Sequence, residues 1–200
     1  MHGPGVFHLA AKAVRSPTDL RGMKVRGPTR PTKLLQSLGA TPVGMALPQV
    51  PDALSKGTIE GCVLNWEVAP AVKVHELTKH HSEFPTDAPA LYTTTFAMTM
   101  TKARYDSLPA DLKKVIDANS GADLSAWLGK IRQSGDGRGR KLAEDRGNAI
   151  HTFSKPETQQ FIDASSKIVD EWIADMNKRG FDGKALVASA RERIATNGKG

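Results

Sequence analysis

Arg26 is the residue whose setting most suggests chemistry. It lies in Asp19-Leu-Arg-Gly-Met-Lys-Val-Arg-Gly-Pro-Thr-Arg30, where Met23 and Val25 alternate with Lys24 and Arg26, the period of a short strand. Gly27-Pro28 stops that strand, and Thr29 and Pro31 suit the start of a helix that Gly39 can close. Arg26 is then at the carboxyl end of a strand, just before a helix N-terminus, which is where open α/β sheets bind ligands. A guanidinium beside helix-end N–H groups suits a carboxylate or a phosphate. On spacing alone the simpler reading is an ordinary surface ion pair.

Trp66 is the second such residue. It follows a strand candidate at 58–64. If the strands at 23–26 and 58–64 share a sheet, Arg26 and Trp66 line one crevice, the Arg gripping an anionic head and the Trp covering a planar or apolar body. The competing reading is a core Trp.

Other chemistry-bearing residues point elsewhere. His75, His80 and His81 lie near Glu76, but the His-Glu-x-x-His pattern is absent and the spacing does not share a helix face, so the expectation is a solvated helix end and no metal. Gly135-Asp-Gly-Arg-Gly-Arg140 follows a helical pattern, not a strand, and so fails as a phosphate loop; a solvated bend between helices is expected. Cys62 has no local signature of a catalytic pair and reads as a small buried thiol. There is no Gly-x-Ser-x-Gly elbow, and Glu60 and Glu67 have no spacing that marks an acid/base pair.

Stepping outward to the elements that must hold these residues, 1–18 reads as irregular lead-in. A helix at about 30–38, a strand at 40–45, a short proline-started helix at 47–54 and a helix over 66–78 complete β-α-β-α steps within the first 80 residues, which predicts an α/β class. Residues 81–91 form a polar connector. Tyr92-Thr-Thr-Thr-Phe-Ala-Met-Thr-Met-Thr101 alternates and predicts a long strand that crosses between lobes. Helices follow from Ser107 and Pro109 and past Gly121, then a short strand at 150–153. Ser154-Lys-Pro-Glu157 is a capping box opening a helix capped by Gly180, and Asp182 opens the last helix. The expected division is a lead-in at 1–20, a ligand-binding α/β lobe at 21–91, and a crossover strand with bracing helices at 92–200.

Bulk composition narrows the class. With 200 residues, 39% hydrophobic and 24% charged, the chain is globular. No apolar run approaches the ~20 residues that span a bilayer. One cysteine excludes an internal disulfide and a Cys-rich zinc site. The net charge of +7 is compatible with nucleic acid, membrane or anionic small molecules, but the cations are mixed with acids and aromatics are only 6%, which disfavours a base-stacking platform. Met1-His-Gly-Pro-Gly-Val-Phe-His has neither a basic n-region nor an apolar h-region, and reads like the middle of a longer protein.

Four segments occur in order: Asp19-Leu-Arg-Gly-Met-Lys-Val-Arg-Gly-Pro, Leu38-Gly-Ala-Thr-Pro-Val-Gly-Met45, Ala53-Leu-Ser-Lys-Gly-Thr-Ile-Glu-Gly61 and Tyr105-Asp-Ser-Leu-Pro-Ala-Asp-Leu112. Together they resemble the DctP-like solute-binding proteins of TRAP (tripartite ATP-independent periplasmic) transporters, over about residues 3–195. The resemblance implies a periplasmic-binding-protein-like fold of two α/β lobes closing on an organic acid, here with the N-terminal half of lobe one missing. It implies that Arg26 grips the ligand carboxylate and that Leu64, Asn65 and Trp66 form a second contact region, with Thr29 and the 47–50 turn as further pocket candidates. Many members have Asn where this chain has Leu64, and one branch has Pro-Trp-Glu where this chain has Asn65-Trp66-Glu67. The implied role is a periplasmic subunit without catalytic activity or cofactor, whose partners are a small organic acid and membrane permease subunits. The alternatives are an enzyme using Cys62 or the histidines, and a basic nucleic-acid-binding fragment.

Overall fold

The computed structural model describes residues 1–27 and 32–197; Thr29, a ligand candidate from the sequence, lies outside the described residues. Six short strands form one sheet in the order β3-β2-β4-β1-β5-β6. They are β1 (Val6–Leu9), β2 (Lys24–Gly27), β3 (Thr41–Gly44), β4 (Gly61–Leu64), β5 (His80–Glu83) and β6 (Ala149–Thr152). β2 pairs in parallel with β3 and β4, and β5 with β6, while β1 is antiparallel to β4 and β5. The start of β1 and the carboxyl ends of the other strands therefore share one end of the sheet.

Helices cover both faces, as a largely parallel sheet requires. Phe7, Leu9, Val25 and Val63 point to one face and pack with Leu35 of α1 (Thr32–Ser37) and Phe161 of α7 (Lys155–Lys178). Cys62 and Leu64 point to the other, under α2 (Val50–Ser55) and α3 (Val74–Leu77). Val6 and Trp66 pack there against Ala143 of α6 (Gly121–Asp145). α4 (Lys102–Asp106), α5 (Ala110–Ala118) and α8 (Gly183–Asn197) complete the helices. The α/β class and the strands around Arg26, Val43 and Cys62 follow the sequence pattern. Gly39, at φ +89°, ends the segment after α1. The capping box of α7 forms as the sequence indicates: the Ser154 N–H donates to Glu157 Oε2 at 2.7 Å and the Glu157 N–H to Ser154 Oγ at 3.4 Å.

The structure corrects several expectations. Residues 1–20 are not a lead-in: β1 lies between β4 and β5, and its four residues are buried on both faces, so no alternation marks it. Residues 81–83 of the supposed connector belong to β5, whose central His81 and Ser82 are both buried, so alternation does not mark it either. The sheet thus recruits β1 and β6 from outside 21–91. The helix expected over 66–78 is a 3₁₀ turn, Ala69–Val72, and α3, separated by Lys73 at φ 52°. Residues 92–101 are not a strand. Among the described residues only the Tyr92 and Thr94 carbonyls enter a ladder-like pairing, accepting from Gly5 and His2 N–H, and Phe96, Met98 and Met100 are exposed. An alternating segment becomes a strand only where a neighbour completes its hydrogen bonds.

The glycine-rich stretch 135–140 is not a bend; it lies inside α6. Isolated helix propensity opposes this by about 1 kcal/mol per glycine. Close packing explains the reversal. A Cβ on Gly139 would lie 2.7 Å from the Trp66 carbonyl carbon, and one on Gly135 2.8 Å from Glu67 Cγ. The glycines let α6 sit directly on the turn after β4, where Asp136 Oδ1 accepts the Glu67 N–H at 2.9 Å.

Two predictions follow from this packing. Gly139→Ala lowers unfolding stability by roughly 1–3 kcal/mol, because its methyl overpacks the Trp66 backbone. Gly137→Ala, whose Cβ meets nothing within 4 Å, raises it by about 0.5–1 kcal/mol. Urea denaturation of both variants checks the pair, and equal effects would refute the close approach. Second, Leu112, Val115, Trp127, Leu128 and Ile131 are exposed together with Phe96 and Met98. The folded chain should therefore enhance the fluorescence of an apolar-surface dye, with no enhancement counting against this surface.

Candidate functional site

At the shared end of the sheet stand two side-chain clusters. The first surrounds Arg26. Arg26 pairs with Cys62 across β2 and β4 and lies next to Val43 of β3 in register, so its side chain rises from the middle of the three-strand parallel run. It is 6% exposed. Its Nε and Nη2 both donate to the Met45 carbonyl, at 3.3 and 3.2 Å. Burial lowers its proton affinity, and the titratable groups that act on it are the Cys62 thiol and the Tyr92 phenol. Neither is an anion at neutral pH: burial pushes Cys62 up to about 12 and Tyr92 well above the ordinary tyrosine range. Among the described residues no carboxylate pairs with this guanidinium.

That imbalance has chemical content. Guanidinium carries five N–H donors, and a buried charge without a counter-charge is costly. A site that keeps such a cation, with donors uncommitted, is set up for an incoming anion of planar, two-oxygen geometry. Tyr92 supplies an aromatic wall beside it, its hydroxyl donating to the Val63 carbonyl at 3.2 Å. Tyr92 had only a strand assignment in the sequence; the chemical signal was invisible because its proximity to Arg26 depends on the pairing of 92–94 with residues 2–5.

The second cluster surrounds Trp66. Its indole is 4% exposed, packs at 4.9 Å against the rings of His8 and His81, and donates from Nε1 to Glu83 Oε2 at 2.8 Å. Glu83 also accepts from Arg140 Nε and from the Thr152 hydroxyl, each at 3.0 Å. Trp66, Glu83 and Arg140 edge an open cleft of about 910 Å³ whose lining does not include Arg26. The single crevice shared by Arg26 and Trp66, expected from the sequence, is thus two neighbouring environments. Leu64 is buried under α2 and α3. Asn65, 8% exposed, hydrogen-bonds from Nδ2 to His2 Nδ1 and Glu67 Oε2 at 3.3 and 3.2 Å. Val50 of the 47–50 turn is buried in the same cluster as Leu64.

The histidines also depart from expectation. His81 is fully buried in β5 and His75 is 8% exposed, so neither is part of a solvated helix end. His8 Nδ1 and His81 Nδ1 are 2.8 Å apart. No group of three or more His, Cys, Asp or Glu converges for a metal among the described residues. Cys62, buried and protonated, is inert as a nucleophile.

A mixed sheet roofed by helices on both faces, with an unneutralised guanidinium at the carboxyl ends of its parallel strands, is the architecture of an α/β binding lobe. The chain belongs to the family described as bacterial extracellular solute-binding protein, family 7 (DctP), which it matches over residues 3–175. It is 53% identical, with a TM-score of 0.93, to a TRAP solute-binding protein from Rhodoferax ferrireducens T118 solved with copurified benzoate. The match covers 99% of this chain and 62% of that one. It is 45% identical, with a TM-score of 0.91, to a marine-metagenome TRAP solute-binding protein specific for aromatic acid ligands, solved with 3-hydroxybenzoate, covering 98% of this chain and 61% of that one. A solute-binding protein of Verminephrobacter eiseniae is 28% identical over 184 residues, 89% of this chain and 52% of that protein. The chain therefore spans about three fifths of the length of these solved relatives and about half of that curated one.

Burial of the His pair makes acid sensitivity a testable property. Burial, reinforced by His81, holds His8 down to about 3; burial, reinforced by His80, holds His81 down to about 4. Both folded values lie below the ordinary 6.5, so between about 6.5 and 4 the unfolded chain binds more protons than the folded one. Stability is then complete above pH 6.5 and falls as the pH drops through that window, by about 1.4 kcal/mol per pH unit for each histidine involved. Urea midpoints at pH 7.5, 6 and 5 check this, and a His8→Phe/His81→Phe double variant should show a flatter profile.

Proposed function

We propose that this chain is the ligand-binding portion of a periplasmic TRAP-transporter subunit, and that it binds an aromatic monocarboxylate without transforming it and passes it to membrane permease subunits. The observation that carries the reading is Arg26: a nearly buried guanidinium, committed only to the Met45 carbonyl and with no carboxylate partner among the described residues. A carboxylate would neutralise it and take up its remaining donors in a bidentate pair. The benzoate and 3-hydroxybenzoate in the two solved relatives, both above 40% identity, support an aromatic body for that acid. The Tyr92 ring beside Arg26 suits such a body. Leu64, Asn65, Trp66 and Thr29 remain proposed contributors, with Leu64, Asn65 and Trp66 placed at the end of β4, one strand from Arg26.

An enzymatic role has no support in the Cys62 environment, where the thiol stays protonated. A nucleic-acid role has the +7 charge, but its cations are mixed with acids and aromatics are only 6% of the chain.

Titration calorimetry with benzoate tests the proposal. Arg26→Ala should weaken binding by roughly 2–5 kcal/mol, since it removes one member of a desolvated charge pair. Arg26→Lys should retain part of the affinity, keeping charge but losing the planar fork. Both variants should unfold cooperatively. Unchanged affinity in Arg26→Ala would remove Arg26 from the site.

A further inference from the structure

The buried histidines form a directed hydrogen-bond relay that ends on the ligand-site strand. Asn148 Nδ2 lies 3.0 Å from His81 Nε2 and donates its other proton to the His75 carbonyl at 2.8 Å. His81 Nδ1 lies 2.8 Å from His8 Nδ1, and His8 Nε2 lies 3.3 Å from the Leu64 carbonyl. Donor and acceptor roles are forced along this line. An amide NH₂ only donates, so His81 Nε2 accepts. A carbonyl only accepts, so His8 Nε2 carries a proton and, in a neutral ring, His8 Nδ1 accepts. His81 Nδ1 must then carry the proton between the rings. One set of tautomers satisfies every partner, and both rings are neutral.

The relay terminates at Leu64, the last residue of β4, immediately before Asn65 and Trp66. Both imidazoles also pack on the Trp66 ring, each with its centroid 4.9 Å away. We infer that His8 and His81 are positioning residues for the ligand site, fixing the Leu64 carbonyl and the Asn65–Trp66–Glu67 turn through the Asn148–His81–His8–Leu64 relay. This rests on the proposed function for its meaning in binding, since the turn is the second proposed contact region.

A proton added to the relay has no free acceptor position. At His81 Nε2 it would face the Asn148 NH₂; at His8 Nδ1 it would face the His81 N–H. Either proton turns a hydrogen bond into two opposed donors. The groups that face the pair are His75 from α3, His80 and Glu83 from β5, and Arg140 of α6 through its ion pair with Glu83. Of these, only Glu83 is an anion, and it is already shared by Trp66, Arg140 and Thr152. Acid should therefore move the turn as well as the rings.

Two measurements on the 200-residue chain test the inference. In ¹⁵N-labelled chain without ligand, long-range ¹H–¹⁵N spectra at pH 7.5 should show His8 protonated at Nε2 and His81 at Nδ1. As the pH is lowered, the Asn65, Trp66 and Glu67 amide signals should move with the imidazole signals. Asn148→Ala removes the first donor at the relay's less buried end, and should shift those turn signals while the fold persists. A reversed tautomer pair, or turn amides that ignore the imidazole titration, overturns the inference. Benzoate calorimetry then separates it from the functional reading. His81→Phe and Asn148→Ala should each weaken benzoate binding at pH 7.5 by about tenfold, against a larger loss for Arg26→Ala. If Arg26→Ala weakens binding and Asn148→Ala and His81→Phe leave it unchanged, the positioning role falls and the functional reading stands. If Arg26→Ala binds as the parent does, or benzoate does not bind at all, the functional reading falls, and the spectra alone decide whether the relay holds the turn.

Discussion

The structure depends on how closely α6 approaches the turn that follows β4. That turn must leave a parallel strand at the end of the sheet where Arg26 also lies, and it carries Asn65, Trp66 and Glu67 in succession. α6 covers it without any side chain intervening at Gly139, and Asp136 accepts the Glu67 N–H from the helix side. Replacing Gly135 and Gly139 by better helix formers would favour α6 as an isolated helix and lift it off the turn. The segment therefore trades helix propensity for contact distance, and tertiary packing decides its conformation. Arg140, one residue beyond Gly139, reaches Glu83, and Glu83 in turn holds the Trp66 indole. One helix face thus fixes both the backbone and the side chain of the same tryptophan.

The sheet end that results is electrostatically divided. On the Trp66 side, charges and polar groups are closed among themselves: Glu83 with Arg140, Trp66 and Thr152, Glu67 with His2 and Arg132, the two histidines with each other. On the Arg26 side the balance is left open, because among the described residues the guanidinium donates to a carbonyl and has a thiol and a phenol, both protonated, as its titratable neighbours. A protein that merely needed an internal ion pair at Arg26 would place a carboxylate in one of the adjacent strand positions. Here those positions hold Cys62 and Val43. The asymmetry, more than any single contact, distinguishes a binding end from a structural one.

What the sequence disclosed follows the same division. β2, β3 and β4 alternate or are bounded by Gly and Pro, so their existence and the placement of Arg26 at a strand end were legible. The α7 capping box was legible because its signals are local: a Ser, a Pro and a Glu at fixed spacing. β1 was not, because Val6-Phe-His-Leu9 is covered on both faces and shows no period. A histidine pair buried in neighbouring strands looks, in sequence, like two unrelated polar residues 73 positions apart. The glycines of α6 read as a bend because sequence displays only their low helix propensity, while their packing partner, Trp66, lies far away in the chain. The segment 92–101 erred in the opposite direction. Its alternation is real, but a strand is a property of a pair, and among the described residues only its Tyr92 and Thr94 carbonyls pair with another extended segment, at Gly5 and His2.

These misses share a cause that also bears on how the site works. Each concerns a group whose role is set by something remote in sequence: Gly139 by Trp66, His8 by His81, Tyr92 by Gly5. At Gly5 a Cβ would lie 2.7 Å from Tyr92 Cδ1, so the absence of a side chain there admits the Tyr92 ring into its place beside Arg26. The Gly5 N–H donates to the Tyr92 carbonyl at 2.9 Å, which locks the same two residues through their backbones. The segment that precedes β1 therefore shapes the Arg26 environment through Tyr92 and the Trp66 environment through His2, which reaches Asn65 and Glu67. A movement of residues 2–5 relative to the sheet would act on both clusters at once. Through the Gly5–Tyr92 backbone pairing, the fitted Tyr92 ring and the His2 side chain, one segment touches both environments, although Arg26 and Trp66 themselves belong to separate side-chain networks.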